Sequence, residues 1–291
     1  MRTFILPALL ALSTAACGTD DPCANIRSVD DALASACNVT NDTPPSTVAC
    51  TPRAGTICTV LGTGEAGVGG ENVPGVESRA YHPLDVTMGP DGRVAYFIDW
   101  NNHTIRALSP DGRVRTVVGT GELQDGEDPP IPLGAPRVAT PSLRHRLNHP
   151  THMFFDTQGR MLIAAWHNSM VKRVTMIGQP NSMIEDFCGT GARSFGGDSG
   201  PALNAALNLP VAMVVNSQGE VIIADQANQR IRKVSGEGVI TTMAGDGMRG
   251  YAGDNGPATM ARLDNPVGQA APPAGRIDID ATGNLYVADT G

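Results

Sequence analysis

With 291 residues, 41% of them hydrophobic, the chain is long enough to bury a sizeable core, and Gly (34) and Pro (22) together make up about a fifth of it. That enrichment, with evenly spaced apolar runs, points to many short strands and turns. The formal net charge of −8 opposes a nucleic-acid partner, whose phosphates call for clustered Lys and Arg, and no apolar run reaches the roughly 18–20 residues of a spanning helix.

The first 16 residues read as an export signal. Arg2 supplies a minimal positive region, Phe4 to Leu12 is apolar, and Ser13-Thr-Ala-Ala16 offers the small side chains of a cleavage site. Cys17 follows at once, so 1–16 resembles a bacterial lipoprotein signal in which that Cys is acylated; Thr14 departs from the Leu favoured three residues before it. Two readings stay open: a lipid-anchored envelope protein, the membrane reached through the anchor alone, and ordinary cleavage into a secreted form.

Residues 17–54 form a Cys-rich spacer. Asp20, Asp21 and Pro22 make a helix start, Ile26, Val29, Leu33 and Cys37 fall at helical spacing, and Asn41 to Thr47 reads as a loop. With Cys17 acylated, Cys23, Cys37, Cys50 and Cys58 are left for two disulfides, with three connectivities open. Their spacing lacks the Cys-x-x-Cys pairs of structural zinc. Cys188 stands alone at a position where other repeats carry Leu61, Val118 and Ala244, which makes it a buried small hydrophobe.

From residue 55 a repeat takes over. Pro83, Pro150, Pro210 and Pro266 head successive units 67, 60 and 56 residues apart. A full unit has an alternating strand such as Val211 to Val215, then a Gly turn (Gly92, Gly159, Gly219, Gly283) that needs positive φ. An apolar strand follows, ending at Asp99, Ala165, Asp225 or Asp289. The third strand carries Ile105-Arg106, Val171-Lys172 or Ile231-Arg232, and the fourth closes on Gly-x-Gly. Such a unit cannot bury its own apolar face and must stack on its neighbours; four antiparallel strands per unit predict propeller blades over 83–121, 150–191, 210–247 and 266–291, the last cut after two strands. Residues 56–61 match only a fourth strand and are expected as an isolated one. The incomplete arc of about 3.5 blades reads as a fragment, expected to self-associate when expressed alone.

Asp-x-x-Asn-x-x-Ile-Arg after an apolar strand, with the linkers Phe195-Gly-Gly-Asp-Ser-Gly-Pro201 and Tyr251-Ala-Gly-Asp-Asn-Gly-Pro257, resembles the NHL repeat. The resemblance covers 55–291 and implies an all-β NHL-type propeller. Ala165 in place of the repeat Asp and the expanded, Pro-rich loop 122–149 depart from it.

Several motifs have blander readings. Gly62-Thr-Gly64-Glu-Ala-Gly67 and Gly245-Asp-Gly247-Met-Arg-Gly250 fit a dinucleotide fingerprint, but no helix pattern follows to hold a pyrophosphate. Gly197-Asp-Ser199-Gly-Pro201 resembles a protease nucleophile segment, yet the sister loop has Asn255 for Ser199. Asp99, Asp225 and Asp289, repeated before Asn102 and Asn228, read as turn-stabilising groups.

The histidines fall otherwise. His82, His103, His145, His149, His152 and His167, with Trp100 and Trp166, lie in or beside the second-to-third turns and the inter-blade loops, which share one face of a meander. Trp100, His103, His149, His152, Trp166 and His167 are the candidate ligand face for a protein, peptide or glycan, with no cofactor and no catalytic or metal residue assigned. The alternative implied by the resemblance is a metal-dependent lyase or lactone hydrolase holding zinc or calcium.

Overall fold

The computed structural model describes residues 57–122, 132, 135, 137–268 and 270–290, all within the unit Thr47–Gly291. The signal, Cys17, Cys23, Cys37 and Cys50 lie outside the described residues.

Three five-stranded antiparallel sheets and a two-stranded hairpin follow one another. The first sheet contains β1 (Val73–Pro74), β2 (Pro83–Met88), β3 (Ala95–Asp99), β4 (Thr104–Leu108) and β5 (Arg113–Val118), in the order β1-β5-β4-β3-β2. The second repeats that order with β6 (Thr140–Pro141), β7 (Pro150–Phe155), β8 (Met161–Ala165), β9 (Met170–Thr175) and β10 (Met183–Cys188). The third has β11 (Gly200–Pro201), β12 (Pro210–Val215), β13 (Val221–Asp225), β14 (Arg230–Val234) and β15 (Val239–Ala244), and the hairpin joins β16 (Ile277–Ile279) to β17 (Leu285–Val287).

The predicted four-stranded meander is therefore present, with one strand more. β1, β6 and β11 are two-residue strands from the linkers that add to the outer, fourth strand. Each includes a Pro, which an edge position tolerates because its missing N–H leaves no ladder bond unmade. Residues 57–61, expected as an isolated strand, carry no ladder; Gly62 N–H donates to Gly75 O (3.0 Å) in the linker instead of pairing along a sheet edge. In the fourth unit β16 begins only at Ile277, after a loop that follows Pro266.

The apolar interior lies between consecutive sheets. Ile98, Ile105 and Val118 of the first meet Met153, Met161 and Ile163 of the second. Leu162, Ala164 and Cys188 meet Met213, Val221 and Ile223, and Val211, Ile222 and Ile231 meet Ile277, Leu285 and Val287. Alternation sends neighbouring residues of one strand into different layers, Ile163 back toward the first sheet and Leu162 forward toward the third, so each sheet needs a sheet on either side. The hydrogen bonds agree: Thr151 Oγ1 donates to Val211 O (2.8 Å), and Met153 N–H to Asp85 Oδ2 (3.0 Å), between the first strands of successive blades.

Candidate functional site

The residues that recur are bound up in holding the repeat. Asp99 Oδ1 accepts the Tyr81 N–H, Asp225 Oδ1 the Asn208 N–H and Asp289 Oδ1 the Asp264 N–H, each at 2.7 Å, tying the start of a blade to its second-to-third turn. Asn102 and Asn228 donate to the other carboxylate oxygen of Asp99 and Asp225 (2.9 and 2.8 Å). Arg232, wholly buried, donates to Asp198 (2.6 Å) and lies 3.3 Å from Asp225. Burial pushes the Asp225 carboxyl up to about 6, against the pull of the Asn208 amide, Asn228 and Arg232.

Where the repeat departs from its pattern, the same jobs are done by other residues. Ala165 removes the carboxylate of the second blade, and Asn168 Oδ1 accepts the Asn148 N–H there (2.9 Å). The buried cation of that blade, Lys172, pairs with Asp186 on β10 (2.7 Å), which Arg137 also contacts (2.9 Å). Burial would raise the Asp186 carboxyl, but these two cations hold it below the usual range.

His103, Ser169 and Gln229 end the second-to-third turns in left-handed conformation (φ 53°, 52° and 52°). Gly119, Gly189 and Gly245 pass over those turns, where a Cβ would collide with the carbonyls of His103, Ser169 and Gln229. Hence the recurrent blade-end glycine. The glycine motifs at Gly62–Gly67 and Gly245–Gly250 stand before no α-helix, and Ser199 and Asn255 share a left-handed turn position (φ 63° and 60°), as their interchange implied.

Five of the six candidate face residues come together. Trp100 packs on His149 (ring centroids 4.6 Å), His149 meets His103 (4.3 Å) and His167 (4.7 Å) edge-on, and His167 stacks on Trp166 (4.1 Å). Their exposure divides them. His103, Trp166 and His167 are buried, while Trp100 and His149 are half-buried. His103 Nδ1 accepts the His149 N–H (3.0 Å), a bond from one blade to the next that Gln229 Oε1 repeats with Asn265 (2.8 Å). Trp166 Nε1–H donates to Gln226 Oε1 (3.1 Å). The rim is completed by His82, 6.1 Å from Trp100, and by Tyr81, 5.5 Å from His82 and exposed; the sequence reading did not place Tyr81 there, although its position beside His82 in the linker was the signal.

His152 stands apart. It lies on β7, where Nδ1 accepts the Met213 N–H (3.2 Å) and Nε2 is 3.9 Å from Asp85. Burial, with Arg276 nearby, lowers its imidazole to about 3, so it is neutral at physiological pH. Burial raises the Asp85 carboxyl, opposed by Arg276, which also donates to Thr151 O (3.0 Å). His145 is separate too: it contacts Thr140 Oγ1 through Nδ1 (3.2 Å), and burial and Lys172 lower it to about 4. Among the described residues no group of three or more His, Cys, Asp or Glu side chains is arranged to hold a metal ion.

Repeated four-stranded meanders stacked face to face, closed by Asp–Asn–Arg turns, define a β-propeller of NHL type. The Teneurin NHL domain family matches residues 53–250, and the chain belongs to that family. Teneurin-m of Drosophila melanogaster is 28% identical over 166 residues, 52% of this chain but 6% of its own length. Among solved structures, a protein of unknown function from Bacteroides thetaiotaomicron shares the fold at a TM-score of 0.50 and 18% identity, over 70% of this chain and 44% of its own. An auxiliary nutrient binding protein from Bacteroides ovatus (TM-score 0.46, 17% identity, 72% and 46% covered) and virginiamycin B lyase from Staphylococcus aureus (0.38, 12%, 70% and 47%) are also similar. The chain thus covers less than half of each of these structures.

Proposed function

We propose that this protein is an exported, lipid-anchored binding scaffold that takes a protein, peptide or glycan on the face formed by Tyr81, His82, Trp100 and His149. The observation that carries the reading is the ring cluster itself. Trp100 sits at the repeat position that holds Gln226 in the third blade, and His149 at that of Leu209, so the fold requires neither ring. Aromatic side chains that present both a flat apolar surface and a polar atom suit peptide and sugar partners.

Intrinsic fluorescence tests it. Titration of the folded protein with a panel of oligosaccharides and peptides is expected to give a saturable change in Trp100 emission that Trp100→Phe removes. A panel without any saturable response contradicts the scaffold reading. The anchor is tested separately: radiolabelled palmitate is expected on the wild-type chain and not on Cys17→Ser, and an unlabelled wild-type chain points to the secreted form. Disulfides among Cys23, Cys37, Cys50 and Cys58 belong to the same proposal. For the alternative metal-dependent lyase or lactone hydrolase, stoichiometric zinc or calcium in the purified protein, lost on substitution of His103 and His167, is the decisive result.

A further inference from the structure

Val68 and Thr104 of the first blade stand where Phe195 and Arg230 stand in the third. Hydrogen bonds fix the correspondence. Asn102 Nδ2 donates to Gly67 O as Asn228 Nδ2 donates to Ser194 O, both at 2.9 Å. Thr116 Oγ1 donates to Glu71 (2.6 Å) as Thr242 Oγ1 donates to Asp198 (2.7 Å).

In the third blade the Phe195 ring is held against two guanidinium groups, with its centroid 3.9 Å from Arg230 and 4.8 Å from Arg232. In the first blade that ring and one of the two guanidiniums are missing. A cavity of about 340 Å³ opens there, with Val68, Asp99, Asn102, Thr104, Arg106 and Thr116 in its wall.

Arg106 is 2% exposed, and its environment is looser than that of Arg232. It donates to Ser78 Oγ (2.9 Å), Arg79 O (3.1 Å) and Gly70 O (2.5 Å), but its Nε has no hydrogen-bond partner. Its carboxylates stand off, Glu71 at 3.8 Å and Asp99 at 3.9 Å, whereas Arg232 has Asp198 at 2.6 Å and Asp225 at 3.3 Å.

We propose that this cavity is a binding site for an aromatic side chain of a peptide, whose ring occupies the space of Phe195 and packs against the edge of the Arg106 guanidinium that lines the cavity wall. A planar, weakly hydrated guanidinium favours the face of an aromatic ring over water or an aliphatic group. Glu71 and Asp99 repel an anionic side chain, and Arg106 repels a cationic one. The site shares no residue with the Tyr81–His149 face and stands whether or not that face binds anything.

The test uses N-acetylphenylalanine methylamide and its cyclohexylalanine counterpart, titrated against the folded full-length protein and followed by saturation-transfer NMR. The phenyl probe is expected to bind saturably in the millimolar range, and the cyclohexyl probe about fivefold more weakly, the loss of roughly 1 kcal/mol of ring–cation attraction. Val68→Phe fills the cavity from within and is expected to weaken phenyl binding at least about tenfold, whereas Val68→Ala retains it. Thr104→Arg fills it from the opposite wall and serves if Val68→Phe does not fold. No saturable binding to the wild type, equal affinity for the two probes, or undiminished binding in the filled variants overturns the proposal.

Discussion

Asn168 Oδ1 accepts the Asn148 N–H at 2.9 Å, in the place where Asp225 Oδ1 accepts the Asn208 N–H at 2.7 Å one blade later. A buried amide left without an acceptor costs about 1–3 kcal/mol, which is why losing the repeat Asp at Ala165 had to be met by a neighbour. Asn168→Ala is expected to lower stability by about 1–3 kcal/mol in urea unfolding, with Asn148 among the first backbone amides to gain hydrogen exchange. An unchanged midpoint contradicts the assignment.

The buried cation of each blade follows the same logic. Lys172 is 5% exposed and leans on Asp186, and Arg137 shares that carboxylate. Removing one partner of a buried pair strands the other, at about 3–5 kcal/mol, whereas an exposed pair such as Arg79–Glu65 contributes under about 1 kcal/mol. Asp186→Ala is therefore expected to shift the urea midpoint far more than Glu65→Ala, and equal shifts contradict it.

Acid sensitivity follows from the two buried imidazoles. His152 is lowered to about 3 and His145 to about 4, both below the ordinary 6.5. The unfolded chain binds more protons than the folded one between those values and 6.5, so stability falls as pH drops through that window. Asp225, raised to about 6, works the other way: its folded form binds the extra proton between about 4 and 6, so its contribution favours the folded state on acidification. Asp85 and Asp99, also raised by burial, act in the same sense as Asp225, but the larger displacements of the two imidazoles outweigh them. The urea midpoint is therefore expected to fall from pH 7 to pH 5, and His152→Gln to flatten the slope. A midpoint that rises on acidification contradicts the balance.

Cys188 is fully buried, and burial pushes its thiol up to about 12. Iodoacetamide at pH 8 is expected to spare the Cys188 peptide in the folded protein and to label it completely in urea, as read by mass spectrometry. Rapid labelling of the native protein contradicts its place in the interior.

Much of this architecture was legible in the sequence because its causes are local. Alternation in Val211–Val215 and the Gly219 turn at φ 78° need only neighbours in the chain to specify a hairpin. β1, β6 and β11 were not legible: two residues with a Pro carry no periodicity, and they become strands only because β5, β10 and β15 present an open edge. Residues 57–61 show the converse, an apolar pattern without an edge to pair with. At the candidate face the sequence grouped residues by loop, which brought Trp100, His103, His149, Trp166 and His167 together correctly in space. It could not tell that His103 turns inward to a backbone amide 46 residues away, or that His152 points toward Asp85. The cavity beside Arg106 follows from Val68 standing where Phe195 stands two blades later, a difference whose consequence lies in the contact of that ring with Arg232, which no local pattern encodes.

Under the proposed function, the shared residues and the neighbours that replace them hold the fold, and the exposed rings around Trp100 bind. Tyr81→Ala tests it most directly, because Tyr81 is exposed and its bonds to Asp99 and Asn101 run through the backbone. Its urea midpoint is expected to stay within about 0.5 kcal/mol of wild type while the saturable fluorescence response to the oligosaccharide and peptide panel is lost. A Tyr81→Ala protein that is equally stable and binds as the wild type does would contradict the account.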